Sequence, residues 1–114
     1  WSYKSGVGDA RETPAEPLAK DLIDAGISVS TWDPYLQISD IPINIQVIEN
    51  ISEAVNFDMV VLATAHKECI EIDWNSLLEN MRTPILYDGR RVLDLDIMQS
   101  MGWKANAVGS PQVI

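Results

Sequence analysis

Apolar positions in the first third of the chain recur at helical spacing and then switch to alternation. Ala15, Leu18, Ala19, Leu22 and Ile23 fall on one helix face. Before them stands Thr13-Pro14-Ala15-Glu16, a capping box with proline at the first helical position: Thr13 can accept from the Glu16 amide and Glu16 can reach back. Gly26 sits where a left-handed C-cap would close this helix. Ile27–Trp32 then alternates apolar and polar side chains and is β-branched, which predicts a strand, and Asp33-Pro34 stops it. From Tyr35 to Asn44 the pattern is irregular, so a loop is expected, followed by a short strand near Gln46–Ile48. Ser52 is expected to cap a short helix running to Val55. Met59-Val60-Val61-Leu62-Ala63-Thr64 is a continuous apolar run, the pattern of a central strand buried on both faces. Asp73 precedes the helix-spaced set Trp74, Leu77, Leu78 and Met81. Pro84–Tyr87 reads as the next strand, with Asp88-Gly89 at its end. Asp94 caps a helix carrying Leu95, Met98 and Met101, closed by Gly102, and Trp103–Val108 reads as a final strand.

Strand and helix alternate throughout. The pattern predicts an α/β fold of the Rossmann-like kind: a doubly wound, mainly parallel sheet of about five or six strands with helices on both faces. Trp1-Ser2-Tyr3 reads as the back half of a first strand, because so few residues make a poor central strand. The expectation is a truncated first strand in a piece of a longer protein.

Composition narrows the possibilities. A chain of 114 residues that is 46% hydrophobic can bury one core as a single domain over residues 1–114. Its formal net charge of −9 argues against non-specific binding to nucleic acid or to an anionic membrane, since both need a basic face. No apolar run is long enough to cross a bilayer, and the lone Cys69 cannot form an internal disulfide; a cytoplasmic location is the expectation. Against this acidic background the cations are Lys4, Arg11, Lys20, Lys67, Arg82, Arg90, Arg91 and Lys104. Lys4 and Arg11 lie in Tyr3–Ala15, and Arg90 and Arg91 in Asp88-Gly89-Arg90-Arg91. If the fold joins those segments, an acidic protein carries one cationic cleft.

In open α/β sheets ligands sit beyond the carboxyl ends of the strands, and both segments follow predicted strand ends. A diphosphate needs neutralising charge and several donors, which Lys and Arg supply, Arg in bidentate geometry. Gly6-x-Gly8 permits close backbone approach, and the capped helix adds a dipole favourable to anions. The dinucleotide fingerprint is incomplete, because Arg11 stands where its third glycine would be. The plainer alternative stays open: Arg or Lys at a strand end is more often a solvated charge, Asp9 can pair with Arg11, and Arg91 with Asp94. His66 either lines a cleft or, as is commoner for a lone histidine, is structural. Cys69 is assigned neither a metal nor a nucleophilic role, and the four tryptophans are read as core or interface packing.

Taken together and in order, Tyr3-Lys4, Asp9-Ala10-Arg11-Glu12-Thr13-Pro14-Ala15, Asp33-Pro34, Ala63-Thr64-Ala65-His66 and Asp88-Gly89-Arg90 resemble the C-terminal, UDP-binding domain of the nucleotide-sugar 6-dehydrogenases. That family acts on UDP-glucose, UDP-N-acetylhexosamine or GDP-mannose. The resemblance implies that Tyr3 and Lys4 contact the nucleotide part of a UDP-sugar and that Arg90 reaches the same substrate across a domain interface. It implies that Arg11 faces NAD, the cofactor being held mainly by an N-terminal domain outside this stretch. The family oxidises a primary alcohol of the sugar to a carboxylate through a covalent cysteine intermediate, and its full-length members form homodimers. Cys69 matches no motif of that cysteine. No catalytic residue and no metal ligand is therefore assigned, and this stretch alone is expected to bind nucleotide without turning it over. A free-standing nucleotide-binding or regulatory module is the alternative.

Overall fold

The computed structural model describes residues 1–2, 6 and 13–109. Its elements in chain order are α1 (Ala15–Asp24), β1 (Ser30–Thr31), β2 (Gln46–Val47), β3 (Met59–Leu62), α2 (Lys67–Ile70), α3 (Trp74–Glu79), β4 (Ile85–Asp88), α4 (Leu95–Met101) and β5 (Lys104–Ala107), with 3-10 turns at Ile38–Asp40 and Ile51–Glu53. Every observed strand pair is parallel, so the architecture is the α/β, Rossmann-like one predicted.

Helix ends follow local chemistry. At the start of α1 the Glu16 amide bonds the Thr13 carbonyl rather than its hydroxyl; that hydroxyl instead accepts from the Ala15 amide at 3.2 Å and donates to the Trp1 carbonyl. The hydroxyl is thus spent tying the helix to the first residues. At the other end the Gly26 amide bonds Ile23 O and the Ile27 amide bonds Leu22 O, a Schellman motif that needs the left-handed φ of +87° at Gly26. Asp73 and Asp94 cap α3 and α4 through the Ser76 and Ile97 amides. The short helix expected after Ser52 is a 3-10 turn, and its cap is Asn50, whose side chain accepts from the Ser52 amide.

The strands depart further from expectation. They form two groups, β1-β2 and β3-β4-β5, instead of one sheet of five or six. Of the predicted strand Ile27–Trp32 only Ser30–Thr31 pairs, with Gln46–Val47. The apolar run at Met59 is not the centre of its group: β4 is, and β3 lies at one side with Met59 48% exposed. Leu86 of β4 takes the wholly buried central position that the sequence reading gave to β3, and its register partner Ala105 of β5 is wholly buried too.

Two apolar cores result. One joins Trp74 and Leu77 of α3, Met98 of α4, Leu86, Trp103, Ala105 and Ala54. In it the two indoles meet edge to face at 6.0 Å, and the Trp103 Nε1–H donates to the Trp74 carbonyl, which satisfies the polar edge of a buried ring. The other packs Ala15 and Ala19 of α1 against Trp1, Ile41 and Ile45. Trp1 and Ser2, both buried, lie where the two groups meet: Ser2 bonds Asp33 beyond β1, and its carbonyl accepts from the Thr64 hydroxyl beyond β3 at 2.5 Å.

Candidate functional site

The carboxyl ends of β3 and β4 turn out at one edge, and a single buried carboxylate shapes the turn that carries Arg90. Asp88 Oδ1 accepts from the Arg90 amide at 3.0 Å, while Oδ2 accepts from the Val92 and Leu93 amides, each at 2.8 Å. Asp88 has no exposed surface, so these donors replace the water it lost. Gly89 is required here by space: its amide bonds Leu62 O at 2.9 Å, and a Cβ would lie 2.9 Å from that same oxygen. The turn therefore presses against the end of β3. Arg90 then reaches back, its Nε–H donating to the Ala63 carbonyl at 2.7 Å. The residue is exposed, and its backbone is fixed by Asp88 and its side chain by β3.

A second cluster gathers at the same edge, beside Ala63. Asp33, just beyond β1, accepts at Oδ2 from the Ser2 amide (2.9 Å), the Ser2 hydroxyl (2.7 Å) and His66 Nε2 (3.0 Å), with the Trp1 nitrogen at 3.2 Å. Its Oδ1 accepts from the Tyr35 amide at 2.9 Å, closing an Asx-turn across Pro34. Burial alone would push this carboxyl up, but the bonds from Ser2 and Tyr35 outweigh it and hold the pKa down at about 2. His66 Nδ1 in turn receives the Gly6 amide at 2.7 Å. The Tyr35 ring covers the imidazole at a centroid distance of 4.5 Å, and its hydroxyl donates to Glu68.

Of the residues singled out from the sequence, Arg90 lies at the predicted edge. Tyr3, Lys4 and Arg11 fall outside the described residues. Arg91 is exposed and adopts a left-handed φ of +55°, the strain being localised in the Asp88 turn. Arg82 faces away from this chemistry, in a surface pair with Asp58 at 3.4 Å. His66 is fully buried and bonded at both nitrogens. Cys69 is buried, and desolvation with the Asp33 charge nearby pushes its thiol up to about 11, away from the thiolate a nucleophile needs. Among the described residues no three His, Cys, Asp or Glu side chains are grouped to hold a metal ion. The sequence reading missed Asp33 and Asp88 as the organising acceptors. Their signal was an Asp at a strand end followed by Pro or Gly, which marks a turn whose amides the side chain can collect.

Residues 1–95 match the model of the "UDP-glucose/GDP-mannose dehydrogenase family, UDP binding domain". The chain is 30% identical over 114 residues to a UDP-glucose 6-dehydrogenase of Rickettsia conorii, covering 96% of this chain and 26% of that protein. It is 29% identical over 112 residues to a UDP-N-acetyl-D-mannosamine dehydrogenase of Methanocaldococcus jannaschii, covering 95% of this chain and 25% of that one. Among solved structures it superposes on an NDP-N-acetyl-D-galactosaminuronic acid dehydrogenase from Methanosarcina mazei with a TM-score of 0.84 at 26% identity, over 96% of this chain and 23% of the other. The chain thus spans about a quarter of the length of these relatives. The family match running through residue 95 and the likeness to these dehydrogenases give one assignment. The chain belongs to the UDP-glucose/GDP-mannose dehydrogenase family, through its UDP-binding domain.

Proposed function

We propose that residues 1–114 are the nucleotide-sugar-binding C-terminal domain of an NAD-dependent 6-dehydrogenase that oxidises a UDP-N-acetylhexosamine or UDP-hexose to the uronate. The observation that supports this best is Arg90. It stands on a turn fixed by Asp88 and bonded to Ala63, at the edge where Ser2 and Gly6, the described neighbours of Tyr3–Ser5, are also held. In this reading Tyr3, Lys4 and Arg90 bind the nucleotide part of the substrate. A guanidinium and an ammonium there offset phosphate charge in a chain of net −9.

The residues present do not by themselves fit a dinucleotide cradle: Gly6 and Gly8 lack a third glycine, Arg11 stands in its place, and Glu16 puts a negative charge in the first turn of α1. NAD is therefore assigned to a domain outside this stretch, with Arg11 facing it. The same reading gives the whole protein a cytoplasmic location and a homodimeric state, and leaves residues 1–114 without turnover of their own.

The test is calorimetric titration of the full-length protein with a UDP-sugar at fixed ionic strength, alongside NADH formation. Arg90→Ala removes a charge-assisted contact worth about 1.5–3 kcal/mol, roughly ten- to hundred-fold in affinity. Lys4→Ala acts similarly, and Arg82→Ala, confined to its surface pair with Asp58, changes little. Equal affinities across the three variants would overturn the assignment of the site. NADH formation by the 114-residue chain alone would overturn the division of labour between domains.

A further inference from the structure

His66 is buried at the carboxyl edge and bonded at both ring nitrogens, and its bonds have a direction. The Gly6 amide can only donate, so Nδ1, 2.7 Å away, must present a lone pair. The proton of the neutral ring then sits on Nε2, pointing at Asp33 Oδ2 at 3.0 Å. Asp33 is itself fixed by Ser2 and Tyr35, so the ring has a rigid backstop. Gly6 has a φ of +72° and nothing within 4 Å of a would-be Cβ. A side chain there would meet open space, and among the described residues the amide is held by the bond to Nδ1.

We propose that His66 is a positioning residue for the nucleotide site: its Nδ1 lone pair fixes the Gly6 amide, and with it the backbone just past Tyr3 and Lys4, at the edge where Arg90 stands. This rests on the nucleotide reading above. Asp33 selects the tautomer that can accept. A protonated ring would set one N–H against another at Gly6, so the neutral imidazole is the form that holds the segment.

Two substitutions in the full-length protein separate the arms of the ring. His66→Gln places an amide nitrogen near the Nε2 position, keeping the Asp33 bond while losing the acceptor for Gly6. His66→Asn places an oxygen near Nδ1, keeping Gly6 while giving up Asp33. Hydrogen exchange read by mass spectrometry on the peptide containing Gly6, with UDP affinity by calorimetry, gives the answer. The Gln variant should exchange faster in that peptide and bind UDP about tenfold more weakly, whereas the Asn variant should keep both near wild type while melting lower. Unchanged exchange in the Gln variant would overturn the anchoring, and faster exchange with unchanged affinity would reduce His66 to a structural residue. If the Gln variant does not fold, 15N-histidine spectra of the wild type decide, since an Nδ1-protonated neutral ring cannot accept from Gly6. Failure of the wild type to bind UDP at all would instead sink the nucleotide reading and the site His66 is said to serve, and the exchange data would still report on the Gly6 anchor.

Discussion

Asp33 collects donors from three separate stretches of chain, and that has a consequence for acid stability. Its carboxyl is held at about 2 against an ordinary 3.8. A group whose pKa is depressed in the folded state contributes stability that is fully present above its unfolded value and is lost as pH falls through the folded one. The window here runs from about pH 4 down to about 2, and the difference amounts to about 2 kcal/mol. Urea unfolding across that range should show a falling limb in wild type that is flattened in Asp33→Asn; an identical limb in both would place the acid sensitivity elsewhere. Little of this was legible in the sequence. Asp33-Pro34 read only as a strand stop and His66 as a lone histidine with two open roles, because their meeting across 33 residues depends on pairing that no local pattern encodes.

Helices and strands differ in how much of them local sequence determines. The Asp94 carboxylate accepts from the Ile97 amide at 3.2 Å, Met98 is buried, and Gly102 closes α4 at a φ of +116°, all as the spacing predicted. A helix of seven residues is too short to hold itself, so its cap and its packing carry it. Asp94→Ala should therefore cost about 1 kcal/mol, read as a lower denaturation midpoint at unchanged m-value; no shift would mean the cap is replaced by water without loss. The strands resisted prediction for a physical reason. Ile27–Trp32 alternates correctly, yet only as much of it pairs as β2 can match. The run at Met59 has the composition of a two-sided strand, but its place depends on which neighbours β4 recruits, and Ile85–Asp88 pairs on both sides instead.

At the scale of the molecule, Arg90 stands beside the joint between the two strand groups, its side chain bonded to Ala63 next to Thr64, which the joint uses. The Asp88-Gly89-Arg90 turn was legible because it is a short word at a strand end. The joint was not, since it is made by Ser2, Asp33, Thr64 and His66, far apart in sequence. The way Ser2 bonds both Asp33 and Thr64 also bears on the order of events when the chain folds. The fully buried residues of the β3-β4-β5 core lie between Ala54 and Ala105, whereas the second core waits for Trp1, and the joint between the groups for contacts spanning 31 and 62 residues. Closing the longer loops costs more chain entropy before any contact repays it. Pulse-labelled exchange during refolding should thus protect the Lys104 and Val108 amides, which bond Pro84 O and Asp88 O, before that of Ile48, which bonds Thr31 O in the β1-β2 group; simultaneous protection would mean that the two halves nucleate together. The edge that carries Arg90 would then be completed last, by the arrival of the first two residues.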